Sequence, residues 1–416
     1  MEKLRIGVFG TGRGLDIAKN FMLLDAEIVA LCDFHQKRLA RAVKSLGGDI
    51  ATYDNFDQFI EHEMDAVILA NYFHEHAPYA IKCFERGIHV FSECISNGTM
   101  AEGVQLMRAA KNTSSIYMLA ENYPQMIFNR EIKRVCDTGT LGKIMYAEGE
   151  YNHPGNGKDI SFKKSFNYFP KHWRNFLPRT YYITHSLGPV MHATGATPRV
   201  VSAHAFFAPV EGEDIPTASH VGDRVAVITT KNDDGSVFRV TGCAGFGGHH
   251  NAYRVCGTEG QIENLRGMGN KVMLRYNAWS KPSDCAEVNL YDAEWNDADE
   301  ELILASGHGG ADFITARMFI ACIREGRQPE HPFDLQSAVV MSSVAILAHR
   351  SVLAGGVPYE IPDFTREEDC AKYENDWESP FYYTDGREPT IPCCTVADFA
   401  PTEAQKALFR QLVMEE

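Results

Sequence analysis

The sequence predicts an α/β protein with two domains. The first is built on a doubly wound parallel sheet, and the second is an α/β domain on an open, mainly antiparallel sheet. At 416 residues the chain exceeds what one hydrophobic core usually holds. Strands alternate with helices early in the chain, whereas strands later follow one another directly. We therefore place the domains at residues 1–123 and 124–365, with residues 366–416 as an extension that wraps the surface.

The composition limits which kinds of molecule the protein is expected to bind. A net charge of -15 argues against nucleic acid, whose phosphates require a basic surface. No apolar run is long enough to span a membrane, and the N-terminus lacks a signal-peptide core. The 11 cysteines form neither a C-x-x-C pair nor a disulfide framework. We expect a cytoplasmic protein with reduced thiols, and no metal site because no ligand spacing accompanies the cysteines.

The first strand leads into a glycine turn. The apolar run Leu4–Phe9 is followed by Gly10-Thr11-Gly12-Arg13-Gly14 and then by a helical pattern. Bare backbone N–H groups and the helix dipole at such a turn both favour a phosphate. The spacing departs from G-x-G-x-x-G, because the third glycine comes one place early and Leu15 holds the sixth position. The turn therefore predicts a dinucleotide site only together with its context.

The second strand supplies that context. Ala26–Cys32 ends in Asp33, about 20 residues past the glycines, where a carboxylate binds the adenosine ribose hydroxyls and repels a 2′-phosphate. NAD is therefore favoured over NADP, although the nearby Lys37 and Arg38 keep NADP as an alternative. Asp33 could also simply cap the next helix.

Later strands complete a parallel Rossmann sheet. Each is short and apolar, and its carboxyl end carries polar residues to the edge of the sheet where ligands bind. Asn71 and His76 follow the fourth strand, Glu93 follows the fifth, and Glu121 and Asn122 follow the last. The predicted strands are 50–53, 65–70, 88–91 and 116–120.

Up to this point the chain resembles the Gfo/Idh/MocA family of sugar-active oxidoreductases. Members carry a Glu-Lys-Pro tripeptide after the fifth strand, where this chain has Glu93-Cys94-Ile95. The resemblance implies that Glu93 binds the nicotinamide ribose. Cys94 replaces a lysine that steers the substrate hydroxyl in many members, so a mechanism that depends on this lysine is not expected.

The second domain contains strands in series and a polar insertion at 153–179. Within the insertion, Trp173 could stack on a sugar while Arg174 binds its hydroxyls. The alternative is that both side chains pack the insertion onto the domain. The predicted strands of this domain are 142–153, 200–207, 224–230, 237–243, 253–256 and 271–276. The predicted helices are 128–135, 313–325, 334–353 and, in the extension, 403–416.

A phenol and an imidazole follow the insertion. Tyr182 and His185 are three residues apart, so on a helical turn they share a face and could both move protons in one pocket. The alternative is a core tyrosine beside a capping histidine.

This stretch, Tyr182-Ile183-Thr184-His185-Ser186-Leu187-Gly188-Pro189, resembles the Y-P-T-H-G-L-G-P of the NAD-dependent α-N-acetylgalactosaminidases of glycoside hydrolase family 109. Ile183 and Ser186 depart from that pattern, which leaves the identity of the sugar open. The likeness extends to residues 121–122, 141–153, 256–260, 307–312 and 360–364.

The resemblance implies glycoside cleavage without the usual pair of carboxylates. The sugar is oxidised at C3 by NAD⁺, deprotonated at C2 and cleaved by elimination at C1, and then water and the hydride are added back. His185 would transfer protons, Tyr182 would hold the sugar, and Tyr151 and Glu121 would bind hydroxyls or assist the leaving group. The acid and base roles of Tyr151 and His185 stay open at this stage.

Two further histidines are expected near a small glycoside or sugar substrate. They are His153 and His308, the latter with a turn-stabilising hydrogen bond as the alternative. A sugar or glycoside dehydrogenase that releases NADH and a non-catalytic sensor of NAD or sugar remain alternative functions. By resemblance the protein is expected to be a homo-oligomer.

Overall fold

The first domain of the computed structural model is built on six parallel strands. The structure describes residues 2–156, 158, 170–243 and 245–414. The strands are β1 Leu4–Phe9, β2 Ala26–Cys32, β3 Ala51–Tyr53, β4 Ala66–Leu69, β5 His89–Ser92 and β6 Tyr117–Leu119. Their order is β3-β2-β1-β4-β5-β6, and every pairing is parallel. The predicted Rossmann sheet is confirmed.

Five helices connect these strands and cover the sheet. Because both faces are covered, β4 is buried at every position, which is why it contains only apolar residues. The helices are α1 Arg13–Met22, α2 Gln36–Leu46, α3 Phe56–Phe59, α4 His76–Glu85 and α5 Met100–Ala110.

The strand order reverses between β1 and β4, and the carboxyl ends of these two strands come very close together. Gly10 has a φ of +92°, and a Cβ atom placed on it would lie 2.2 Å from the carbonyl oxygen of Ala70. Only glycine fits there. A cleft at such a switch point is where open α/β sheets bind ligands.

The second sheet has nine strands among the described residues and is mainly antiparallel, as predicted. The strands are β7 Ile144–Asn152, β8 Pro198–Phe207, β9 Asp223–Asn232, β10 Val237–Thr241, β11 His250–Gly257, β12 Gly260–Asn264, β13 Lys271–Tyr276, β14 Val288–Asp292 and β15 Tyr359–Glu360. Their order is β14-β13-β12-β11-β7-β10-β9-β8-β15, in which the β7–β10 pairing is parallel. Sequence analysis missed β12, β14 and β15, since two to five residues of mixed polarity carry little periodicity.

Seven further α-helices lie in the described part of the chain. They are α6 Ile127–Asp137, α7 Thr184–Thr194, α8 Glu300–Ala305, α9 Ala311–Glu325, α10 Leu335–Leu353, α11 Glu367–Cys370 and α12 Glu403–Met414. By length and composition α10 could cross a membrane, but 83% of its apolar window is buried inside the protein, as in a core helix.

Helix α7 starts directly on top of β7. A Cβ atom on Gly149 of β7 would lie 2.0 Å from the carbonyl oxygen of Ser186, so only glycine allows this approach. The contact brings the first turn of α7 beside Tyr151, two residues further along β7. Packing of this helix on the sheet therefore sets the position of His185.

The C-terminal extension reaches both domains. Its Thr384 bonds Glu75 of the first domain through both its N–H (2.7 Å) and its hydroxyl (2.6 Å). Its Thr395 N–H donates to Asp223 of β9 at 2.9 Å. Phe381 is fully buried and stacks on His74 with ring centroids 4.4 Å apart. The extension therefore supplies core side chains in addition to covering the surface.

Candidate active site

The glycine turn forms one end of a cleft that fits a dinucleotide. Helix α1 begins after Gly12 without a side-chain cap, so its first N–H groups face the turn. A Cβ atom on Gly12 would meet only the Arg38 guanidinium, at 3.7 Å, which leaves room for a pyrophosphate. Gly14, although one place early in the motif, lets α1 pack against Val8 and Ala70.

Asp33 is held by the same turn. Its Oδ2 accepts hydrogen bonds from the Thr11 N–H at 2.8 Å and the Thr11 hydroxyl at 2.7 Å, and its Oδ1 accepts from the His35 N–H at 2.8 Å. The carboxylate is thereby fixed at the end of β2, where it can accept from ribose hydroxyls.

Polar residues at the ends of β4 and β6 also suit a cofactor. The Oδ1 atoms of Asn71 and Asn122 are buried and have no hydrogen-bond partner among the described residues. Buried polar atoms normally have partners, so such atoms at this edge of the sheet fit a site for a polar ligand. His76 is 1% exposed, and its Nδ1 lies 2.7 Å from the Ile95 carbonyl oxygen. Through Nδ1 it fixes the segment after β5, while its Nε2 is a third buried atom without a hydrogen-bond partner among the described residues.

The centre of the site is a carboxylate–imidazole pair. Nδ1 of His185 lies 2.9 and 3.0 Å from the two carboxylate oxygens of Glu121, which is fully buried. Burial alone would raise the pKa of Glu121, but His185, together with bonds from Thr184 and the Tyr123 N–H, lowers the pKa below its usual value. Glu121 is therefore ionised, so Nδ1 must donate. That leaves Nε2 as the ring nitrogen that can take up a proton.

Three tyrosine rings surround this imidazole. Tyr123 stacks on His185 with centroids 3.9 Å apart, and Tyr151 and Tyr182 meet it edge-on at 5.1 and 5.3 Å. Tyr182 precedes α7, which starts at Thr184, so a turn rather than a shared helical face brings it to His185. Burial raises the pKa of Tyr151 and Tyr182 above the usual value, so both phenols stay protonated near neutral pH.

Cys94 links the pair to the cofactor cleft. Its thiol lies 3.4 Å from the Glu121 carboxylate, and its N–H donates to Glu93 at 3.2 Å. Burial raises the pKa of this thiol well above its usual value. The thiol is therefore neutral and cannot supply the positive charge that a lysine would bring to this position.

The two residues of the insertion that were predicted to bind sugar have different surroundings. Trp173 is 8% exposed, stacks on Phe73 at 5.0 Å and lies 4.4 Å from the Arg174 guanidinium, so its ring packs the insertion onto the first domain. Burial lowers the pKa of Arg174, and the phenols of Tyr182 and Tyr151 act on it electrostatically. The guanidinium of Arg174 is therefore within electrostatic range of the tyrosines beside His185. Much of the insertion lies outside the described residues.

The two predicted substrate histidines lie at different places. His153 is exposed and stacks on Tyr151 at 5.7 Å, at the rim of the pocket. His308 has a φ of 52° and its Nδ1 lies 3.0 Å from Asp312, with its ring 6.1 Å from that of Tyr123. Within the described part of the chain, no cluster of three metal-ligating side chains occurs.

Sequence analysis missed two residues of the site, Tyr123 and Asp312. Asp312 accepts hydrogen bonds from Arg13 and Asn122, and its Oδ2 lies 3.0 Å from Nδ1 of His308. The sequence could have indicated Asp312, because it lies in the first turn of a helix and follows three glycines. Nothing in the sequence indicated Tyr123, because its contact with His185 joins positions far apart in the chain.

A dinucleotide cleft that opens onto a proton-transfer pair is the arrangement of a nicotinamide-dependent oxidoreductase, and this fold and site define that class of enzyme. Residues 4–121 match the family model described as "Oxidoreductase family, NAD-binding Rossmann fold". Residues 220–370 match that of the "Glycosyl hydrolase 109, C-terminal domain". The predicted resemblance is thus confirmed: the first domain matches the NAD-binding domain of the Gfo/Idh/MocA oxidoreductases, the second domain matches the glycosyl hydrolase 109 C-terminal domain, and the cofactor is NAD.

Individual relatives agree with these matches. A glycosyl hydrolase family 109 protein of Shewanella sp. (strain W3-18-1) is 25% identical over 406 residues, which covers 88% of this chain and 86% of the relative. One from Stenotrophomonas maltophilia (strain K279a) is 24% identical over 417 residues, covering 88% and 89%.

Solved structures share the fold. An NAD binding oxidoreductase from Klebsiella pneumoniae has a TM-score of 0.72 at 17% identity and covers 86% of this chain and 99% of its own. Levoglucosan dehydrogenase in complex with NADH and levoglucosan has a TM-score of 0.70 at 18% identity, covering 87% and 100%.

Proposed function

We propose that this protein cleaves glycosides by transient oxidation of the sugar, with His185 as the base that removes the C2 proton. Bound NAD would supply the hydride acceptor for C3 and, in its reduced form, the hydride donor at the end of the cycle. The observation that carries the proposal is the buried Glu121–His185 pair beside the cofactor cleft. The glycosyl hydrolase 109 match of the second domain supports the same conclusion.

The residues would act in a fixed order. A ketone at C3 makes the C2 proton acidic, and Nε2 of His185 takes it while Glu121 stabilises the imidazolium. The electron pair forms a C1=C2 double bond, and the C1–O bond breaks. Tyr151, protonated and 5.1 Å from His185 between ring centroids, gives its proton to the departing oxygen.

The second half reverses these transfers. A water molecule adds its oxygen to C1 and gives one proton back to Tyr151, while His185 returns a proton to C2. Tyr182, which also stays protonated, donates a hydrogen bond to the sugar, and the Arg174 guanidinium binds its hydroxyls. This assignment makes His185 the base and Tyr151 the acid, a choice that sequence alone left open.

The residues that would hold NAD are at the strand ends. The glycine turn at 10–14 faces the pyrophosphate, Asp33 takes the adenosine ribose, and Glu93 takes the nicotinamide ribose. The buried amide oxygens of Asn71 and Asn122 are additional acceptors.

The test is a panel of nitrophenyl glycosides, with and without added NAD⁺, that follows aglycone release and NADH absorbance together. The proposal expects aglycone release without net NADH, together with deuterium incorporation at C2 from D₂O. His185→Gln should abolish both. The matched control is His250→Gln, whose Nε2 lies 3.0 Å from Glu150 in a similar pair on the second sheet. NADH that accumulates while the glycoside stays intact would refute the cleavage step and indicate a dehydrogenase.

A further inference from the structure

A network of charged groups joins the cofactor turn to the second domain. Arg13, the first residue of α1, donates from Nε to Glu93 at 3.1 Å. Its two terminal nitrogens donate to the two carboxylate oxygens of Asp312 at 3.0 and 2.6 Å. A bidentate arginine–carboxylate pair is stronger and more directional than a single ion pair.

Asp312 lies in the first turn of α9, a helix that docks on the first domain. Phe319 of α9 packs against Phe21 and Phe91 with ring centroids 6.1 and 5.2 Å apart. The N-termini of α1 and α9 therefore meet at the cofactor cleft, and the Arg13–Asp312 pair joins them. The Asp312 side chain is 5% exposed, so solvent screens this pair weakly.

The same carboxylate orients two further side chains. The Asn122 amide nitrogen donates to Asp312 Oδ1 at 2.6 Å, whereas the Asn122 amide oxygen is buried and has no hydrogen-bond partner in the described part of the chain. His308 Nδ1 lies 3.0 Å from Asp312 Oδ2. Although burial opposes ionisation, the bonds from His308 and Arg13 hold the pKa of Asp312 well below its usual value. Asp312 thus fixes Asn122 directly, and Glu93 through Arg13.

We propose that Asp312 is a positioning residue that retains the dinucleotide in its cleft, by fixing Arg13, Glu93 and Asn122 around the nicotinamide end. The inference deepens the proposed function, because an enzyme that returns its hydride must keep the same cofactor molecule through the cycle. Breaking the network frees these groups to rotate, and the cofactor then dissociates faster.

The experiment measures NADH release directly, without a glycoside. Purified protein is loaded with NADH, mixed rapidly with excess NAD⁺, and followed by the loss of bound-NADH fluorescence. Asp312→Asn keeps the side-chain shape and should accelerate release at least tenfold. Arg13→Gln should do the same, and the double variant should be no faster than either single variant, since both act through one contact.

The matched control is Asp297→Asn. Asp297 receives a bidentate bond at 2.8 and 2.6 Å from Arg317, which also lies on α9. Among the residues that the structure describes, the further hydrogen bonds of this pair go to Asp299 and not to Arg13, Glu93 or Asn122. A purely structural role would lower the thermal midpoints of the Asp312 and Asp297 variants alike and leave release unchanged. Wild-type release from folded Asp312→Asn and Arg13→Gln would overturn the proposal. The result does not depend on whether any glycoside is cleaved.

Discussion

Replacing Glu121 by glutamine removes the negative charge beside His185 and keeps the size of the side chain. Nδ1 of His185 lies 2.9 and 3.0 Å from the two carboxylate oxygens of Glu121, and Glu121 is fully buried. Glutamine can still accept the Tyr123 N–H bond, so the local backbone has no reason to move. The change therefore isolates the electrostatic effect on the imidazole.

The expected loss of rate in Glu121→Gln follows from Coulomb's law. Two unit charges with centres about 4 Å apart attract by about 4 kcal/mol at an effective dielectric constant of about 20. This energy acts when His185 gains a proton and becomes an imidazolium. Since about 1.4 kcal/mol corresponds to a tenfold change in rate, Glu121→Gln should slow C2 deprotonation about a thousandfold.

The assay is deuterium exchange at C2 and aglycone release in a single turnover. The bound NAD content should stay at the wild-type level, which separates a chemical effect from lost binding. Combining Glu121→Gln with His185→Gln should slow the reaction no more than His185→Gln alone. Glu150→Gln, which removes a carboxylate 3.0 Å from His250, is the matched control. Glu121→Gln activity within threefold of wild type would refute the role of the pair.

Three further predictions follow from the packing and the protonation states. Gly149→Ala puts a methyl group 2.0 Å from the Ser186 carbonyl oxygen and should lower the free energy of unfolding by roughly 3 kcal/mol in urea titrations. Gly155→Ala, whose methyl group would have no atom of the described residues within 4 Å, is the control and should be neutral. Tyr151→Phe removes the phenolic acid and should lower kcat/KM about a hundredfold, while Tyr146→Phe on the same strand, whose hydroxyl bonds Glu148, should leave it unchanged in the same assay. Burial lowers the pKa of several imidazoles to about 3 or 4. In the unfolded chain these histidines have a pKa of about 6.5, so below that pH the unfolded chain binds more protons than the folded protein. Their contribution to the free energy of unfolding is therefore fully present above pH ~6.5 and is lost as the pH falls. Between pH 7.5 and 5.5 the loss should be roughly 7 kcal/mol for five such groups, seen as a falling urea midpoint; a flat profile would contradict it. These residues are His74, His76, His172, His192 and His349.

Local patterns in the sequence were enough to predict most of the secondary-structure elements and the cofactor. Short apolar runs that alternate with amphipathic segments predicted the parallel sheet, because a strand covered on both faces must be apolar throughout. The glycine turn and Asp33 predicted NAD, since both belong to one strand–turn–helix–strand unit in which the chain itself fixes the geometry.

Only the tertiary structure decided how the site is assembled. Glu121 and His185 come from different domains of the predicted division, and the meeting of α7 with β7 at Gly149 brings the helix that carries His185 to its place. Arg13 and Asp312 are 299 positions apart, and their contact depends on how α9 docks. The hydrophobic periodicity of the sequence indicates which face of a helix or strand is apolar. It does not indicate which other helix or strand that face contacts. For this reason most residues of the cleft were predictable one by one, whereas Tyr123, Asp312, the pairing of Glu121 with His185 and the network around Asp312 were not.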